Sequence, residues 1–274
     1  MCAALLLFTV EYGVAQIVDV SGEKVISVDS LRREFDSQPY FGLYKDNYFI
    51  VGPSIGPRPT RENTNVKFQL SIAQRLTKST LWWNTHLYLF YTQRCIWNVL
   101  EKSFPMRDLN FNPGIGLRKP LFAAGRYIGN ATLILEHESN GRDSTSSRSW
   151  NRVSVSSNIY LDPSIMIHGK VWIPFIDGEN NRDLLRYVGI IQGGFSWISP
   201  KQQWIVSCIL TKRWGLNLSF NTTIEVSFKP WKRDNQYFFA QYYNGYGECL
   251  LDYKTFRSQL RVGFVIKPRF FSDF

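Results

Sequence analysis

The chain has 274 residues, a formal net charge of +10 and 16% aromatic side chains, with nine Trp and fourteen Tyr. Its Lys and Arg are scattered rather than gathered into a stripe, which argues against a nucleic-acid partner and for a phosphate-rich anionic surface. Beyond the N-terminus no run of about 18 apolar residues occurs, which excludes a transmembrane helix but not a membrane barrel, whose strands need only about 9–11 alternating residues.

Leu5, Leu6, Leu7, Phe8 and Val10 make a short apolar core, and Gly13 and Ala15 place small residues before Gln16. This reads as a secretion signal over 1–15, with 16–274 as a single domain, since no Pro/Gly/Ser-rich linker divides the rest. The basic residues that usually open such a segment are missing, as in a truncated signal, and Glu11 is unusual inside one. Residues 29–35 fit a short helical turn capped by Asp29 or Ser30.

After residue 40 the chain becomes a succession of period-two segments. Val66, Phe68, Leu70 and Ile72 alternate with Lys67, Gln69 and Ser71; Trp204, Val206, Cys208 and Leu210 form another row. Leu216, Leu218 and Phe220 alternate with Asn217, Ser219 and Asn221, and Leu260, Val262, Phe264 and Ile266 with Gln259, Arg261 and Gly263. Between the rows lie turn signals: Asp162-Pro163, Asp177-Gly178, Ser199-Pro200, Lys229-Pro230 and Asn244-Gly245. The fold class is therefore all-β. A soluble sandwich would alternate in the same way. The export signal, the terminal Phe274 and the polar face opposite each apolar row favour an antiparallel transmembrane β-barrel, of about twelve strands for this length.

Cysteine and histidine add little. Cys2 would leave with the signal, and Cys95, Cys208 and Cys249 are an odd number without metal-ligand spacing, so free thiols, buried or lipid-facing, are expected. His86, His137 and His168 are too scattered for a His-rich zinc site.

The informative stretch is 133–152. On strand 131–139 the odd positions are Ala131, Leu133, Leu135, His137 and Ser139, while Glu136 and Glu138 point the other way. Asn151 shares its parity with Val153, Val155 and Ile159. A nucleophile (Ser139), a base (His137) and an amide able to orient that base (Asn151) thus share the apolar face. A serine needs an adjacent base, and the base needs a group to hold its tautomer. Read singly, each is an ordinary hairpin residue; together on one greasy face they suit a substrate that belongs to the lipid phase. Glu136 and Glu138 have the wrong parity for catalysis and are expected to pair with basic residues inside. Arg142, Arg148 and Arg152 could form a basic rim, and Trp150 either plugs the barrel or anchors at the interface. No nucleophile elbow surrounds Ser139.

His137-Glu-Ser139-Asn-Gly-Arg142 followed by Ser147-Arg-Ser-Trp-Asn151-Arg152 resembles the signature of the outer membrane phospholipase A family. Tyr91-Thr-Gln93 is similar to that family's Tyr-Thr-Gln strand. Ser103-Phe-Pro105-Met-Arg107-Asp-Leu-Asn110-Phe-Asn-Pro113 resembles its Ser-x-Pro-Phe-Arg-Glu-x-Asn-Tyr-x-Pro block. Gly245-Tyr-Gly-Glu-Cys-Leu-Leu-Asp-Tyr253 resembles its Gly-Tyr-Gly-Glu-Ser-Leu-Ile-Asp-Tyr segment. The resemblance implies a twelve-stranded bacterial outer-membrane barrel that hydrolyses phospholipid acyl esters, with calcium and as a homodimer. It assigns Ser139 as nucleophile, His137 as base and Asn151 as its orienting partner, with Gly141 N–H in the oxyanion hole. It places Ca2+ on the Arg142 carbonyl and Ser147, with Ser103 donated by the second subunit, and puts Gln93 in the dimer interface.

Phe104 and Met106 depart from the family pattern beside Ser103, which makes that ligand the weakest transfer, and Cys249 replaces a serine. Asp143 reads as a solvated loop charge rather than a further ligand. Two rival functions stay open on the sequence: a non-catalytic structural or channel barrel, and a lipid A deacylase.

Overall fold

The computed structural model describes residues 37, 39–123, 126–176, 178–231 and 235–268. The expected signal over 1–15, the helical turn over 29–35 and Phe274 lie outside the described residues.

Two short strands, β1 (Phe41–Leu43) and β2 (Asn47–Pro53), both pair with β3 (Thr64–Arg75) and act as one interrupted stave. At the interruption the Asn47 side chain takes over from the ladder, its Oδ1 accepting from Ser71 N at 2.5 Å. The wall continues through β4 (His86–Trp97), β5 (Met106–Ala123), β6 (Arg126–Ser139), β7 (Ser149–Asp162) and β8 (Ile165–Phe175). It is completed by β9 (Ile191–Ile198), β10 (Trp204–Lys212), β11 (Phe220–Phe228), β12 (Gln236–Gly245) and β13 (Arg257–Ile266). Every neighbouring pair is antiparallel, and β13 returns to pair with β2, with Phe264 opposite Phe49. With β1 and β2 counted as one stave, this is a twelve-strand barrel, closed by the β13–β2 pairing.

The faces are inverted relative to a soluble sandwich. Leu70, Val262 and Phe264 are 54%, 55% and 59% exposed on the outside, whereas Lys67, Ser71 and Arg261 are buried inside. A two-sheet sandwich would bury the apolar rows; a membrane barrel turns them outward to lipid.

The polar interior must satisfy itself, because an unpaired buried charge is costly. Arg152 donates to Glu136 at 2.8 Å and to Glu138 at 2.7 Å. Lys170 adds a second cation to Glu136 at 2.8 Å, and Arg94 one to Glu138 at 3.1 Å. A separate group joins Glu248 to Arg261 at 2.6 Å and to Lys67 at 3.2 Å. A cavity of about 240 Å³ remains between these groups. Two apolar clusters pack inside the barrel, Trp150, Leu184, Leu250 and Tyr253 towards one rim, and Tyr48, Ile50, Tyr237, Phe239 and Val265 deeper down.

Five expectations are settled here. Glu136 and Glu138 do face inward onto cations, and Trp150 lies in the lumen, donating from Nε1 to Glu138 at 3.2 Å. Arg152 is not part of a basic rim: its parity sets it inside, opposite Glu136. The alternation at 216–220 is only partly a strand. β11 begins at Phe220, and 213–219 form a rim loop in which Leu216, Asn217 and Leu218 are exposed. Among the described residues no strand pairs with them, and alternation without a ladder does not make a strand. The three cysteines are free, Cys95 and Cys249 buried and Cys208 on the outward row of β10.

Candidate active site

Hairpin register decides the site. In the β6–β7 pair His137 lies opposite Asn151, Ser139 opposite Ser149 and Glu138 opposite Trp150. Odd residues of both strands point outward, where Leu133, Leu135 and Val155 are 46%, 53% and 49% exposed. His137, Ser139 and Asn151 are half-buried on this same outer face, near the rim that carries loops 98–105 and 140–148. Across the hairpin His137 Nδ1 and Asn151 Oδ1 are 2.8 Å apart. Because a carbonyl oxygen only accepts, this contact puts the proton on Nδ1 and leaves Nε2 as the basic nitrogen.

The loop after Ser139 is folded around one buried amide. Asn140 Oδ1 accepts from the backbone N–H groups of Arg148 at 3.0 Å and Arg142 at 3.4 Å, and its Nδ2 donates to Ser146 O at 2.9 Å. Gly141 follows with φ of +63°, the left-handed region that favours glycine. The Phe111 ring packs directly on it: a Cβ at 141 would lie 2.8 Å from that ring. Glycine is therefore required twice over, by conformation and by space.

Most carbonyls of this loop are committed. Asp143 O accepts from Ser146 N, and Ser144 O from Ser147 N and from Asn180 Nδ2. The Arg148 guanidinium takes both Thr145 O and Ser147 O at 2.8 Å. No hydrogen bond to the Arg142 carbonyl or from the Ser147 hydroxyl occurs among the described residues of this loop. A hard divalent cation accepts uncharged carbonyl and hydroxyl oxygens as well as carboxylates. Among the described residues no three His, Cys, Asp or Glu side chains come together as a metal-ligating group. Arg142 is exposed, and its guanidinium donates to Arg107 O at 2.5 Å, tying the loop to the start of β5. Asp143 is an exposed loop residue.

Ser103 stands on a different rim loop, between β4 and β5, exposed and with φ of +71°. Gln93 points outward from β4, half-buried, with its Oε1 accepting from Tyr91 OH at 3.1 Å. Gln93 is opposite Phe111, which is opposite Ser139, so two strand spacings, roughly 10 Å, separate the amide from the serine.

Some contributors have no signal in the sequence. Asn181, fully buried in the long loop between β8 and β9, pairs with Ser149 through both ends of its amide, donating at 2.9 Å and accepting at 3.4 Å. With Asn180 it braces the 140–148 loop from outside the hairpin. The same long loop is held by Asp183, which accepts from Tyr253 OH and pairs with Lys254 at 2.8 Å. Burial works against the Asp183 carboxylate, but hydrogen bonds from Lys254 and Tyr253 outweigh it and hold the pKa below the ordinary value. Only the fold brings 181 to 149.

The model of the Phospholipase A1 family matches residues 44–266. The chain belongs to the phospholipase A1 family. It is 30% identical over 218 residues to a phospholipase A1 of Proteus vulgaris, covering 75% of this chain and 70% of the relative. The barrel matches an outer membrane phospholipase of Salmonella typhi, described as a dimer with bound calcium, with a TM-score of 0.72 and 25% identity, covering 82% of this chain and 91% of the other. It equally matches an active-site mutant of Escherichia coli outer membrane phospholipase A, in which an asparagine is replaced by alanine, with a TM-score of 0.72, 25% identity and coverage of 84% and 93%. This phospholipase A1 family member is thus a carboxylic ester hydrolase of the bacterial outer membrane.

Proposed function

We propose that the chain hydrolyses acyl esters of phospholipids through Ser139, His137 and Asn151 on the lipid-facing barrel wall, with calcium and as a homodimer. The observation that carries this reading is the 2.8 Å contact of His137 Nδ1 with Asn151 Oδ1 on the outer apolar face, with Ser139 two residues further on that face. An ester carbonyl of a membrane lipid reaches this face without leaving the bilayer.

In the proposed reaction His137 Nε2 removes the Ser139 proton as Oγ attacks the ester carbonyl. The imidazole becomes cationic, and Asn151 holds its Nδ1–H; the amide orients the ring but supplies no full counter-charge. His137 then returns the proton to the leaving lyso-lipid oxygen, and an activated water releases the fatty acid by the reverse sequence. The Gly141 N–H serves the developing oxyanion. Calcium would be held by the Arg142 carbonyl and Ser147, with Ser103 of a second copy, and when bound it lowers the cost of the negative charge that develops beside it. A site so poor in carboxylates binds calcium weakly, so metal and dimer would act as a switch. Gln93 supports the dimer, being a polar amide on a wall that otherwise faces lipid. Residues 1–15 are read as the export signal and 16–274 as the barrel domain.

The test is fatty-acid release from phosphatidylethanolamine in detergent micelles, with calcium or chelator, comparing the chain with Ser139→Ala. Calcium-dependent and Ser139-dependent release is expected, with unchanged heat-modifiable migration of the variant on gels. A folded barrel that releases no fatty acid, or releases it equally without Ser139, overturns the reading.

A further inference from the structure

A proline stands within β5 beside the catalytic hairpin. The β5–β6 register pairs Phe111 with Ser139 and Gly114 with Glu136, which sets Pro113 opposite His137. Proline has no N–H and cannot contribute a ladder bond to the strand it faces. The carbonyl of His137 nonetheless has a donor. Asn112, whose parity turns its side chain to the lumen, donates from Nδ2 to His137 O at 2.7 Å. A side chain from the inner face of the wall thus makes the main-chain bond that the next residue cannot make.

This arrangement has a consequence for the triad. The His137 carbonyl points towards β5, and the N–H and C=O of one strand residue point to the same side. His137 and Asn151 therefore form the non-hydrogen-bonded kind of cross-strand pair, whose Cα atoms lie about 4.5 Å apart rather than about 5.5 Å. Side chains in such pairs come closest, which is the geometry the His137–Asn151 contact uses.

We propose that Asn112 is a positioning residue for ester hydrolysis: its amide replaces the ladder bond lost at Pro113 and fixes the main chain of His137 beneath its imidazole. The proposal rests on His137 being the base. Asn112 touches neither the substrate nor a reacting atom; it acts through the peptide plane after His137. Its partner is defined by Pro113, and this separates the role from simple filling of the lumen.

The experiment is a double-substitution cycle on the full chain in micelles. His137→Ala and Ser139→Ala are measured first; if either loses less than about a hundredfold in kcat, the base or nucleophile assignment fails, independently of Asn112. Asn112→Ala is expected to lower kcat about tenfold with little change in KM, and Asn112→Asp, isosteric but without the donor, to behave alike. Adding Pro113→Ala to Asn112→Ala restores a backbone N–H opposite His137, and should return kcat to within about twofold of the unmodified chain. Heat-modifiable migration reports assembly in each case. Should Asn112→Ala not assemble, the same contrast is read between Asn112→Asp alone and combined with Pro113→Ala. Full activity in the Asn112 variants, or a loss that Pro113→Ala does not relieve, overturns the proposal.

Discussion

Replacing Asn151 with alanine removes the hydrogen bond to His137 Nδ1, a 2.8 Å contact between half-buried side chains at the rim end of the hairpin. In the resting enzyme both partners are neutral, and such a bond contributes on the order of 1 kcal/mol. In the proposed transition state the imidazole carries a positive charge, and a hydrogen bond to a charged group is worth about 1.5–3 kcal/mol. Only the excess of about 0.5–2 kcal/mol raises the barrier, so the rate falls by about 2- to 30-fold. Substrate binding changes little, so the loss lies in kcat rather than KM. His137→Ala removes the proposed base itself, expected to cost about 10²–10⁴-fold on top of the lost orientation. Asn151→Asp supplies the counter-charge the amide lacks and is expected to retain more activity than Asn151→Ala. The assay is steady-state hydrolysis of a phospholipid in mixed micelles at saturating calcium, with folding of each variant confirmed by migration. Equal losses for Asn151→Ala and His137→Ala, or a loss confined to KM, would refute the reasoning that Asn151 orients a base that can still work without it.

Gly141→Ala forces a left-handed residue to carry a Cβ 2.8 Å from the Phe111 ring; the strain of about 1–3 kcal/mol should displace the Gly141 N–H and lower kcat while the barrel remains assembled. An unaltered kcat there would remove Gly141 from the oxyanion site. Arg152→Met takes the shared cation from Glu136 and Glu138 in the lumen and should destabilise the barrel by roughly 3 kcal/mol, near the lower end for a broken buried pair because Lys170 and Arg94 remain. Denaturant unfolding in lipid vesicles measures this, and an unchanged midpoint would show the carboxylates to be satisfied without Arg152. Gln93→Ala removes one amide from the outer wall and should weaken dimerisation about fivefold, the worth of about 1 kcal/mol, as read by cross-linking or sedimentation in detergent with calcium. A dimer constant unmoved by the change would place the interface elsewhere.

Much of the site was legible because the side-chain period of a strand is two. That period set His137, Ser139 and Asn151 on one face with Leu133, Leu135 and Val155, and sent Glu136, Glu138 and Trp150 to the other, before any neighbour was known. Parity also sends Arg152 inside, opposite Glu136, although its charge alone suggests a basic rim. The same period overextended the strand at 216–220, where the alternation continues into a loop with nothing to pair against.

What the amino-acid order determined by itself was local: which face each residue takes, where the chain turns, and which motif spans 137–152. Only the tertiary structure decided which residues distant in the chain complete that motif. Asn112 reaches the His137 carbonyl, Phe111 closes over Gly141, and Asn181 clasps Ser149 from another loop. The reason is physical. Facing follows from the geometry of a single chain, whereas these contacts depend on strand register and on how rim loops settle over a closed barrel, which no single segment encodes.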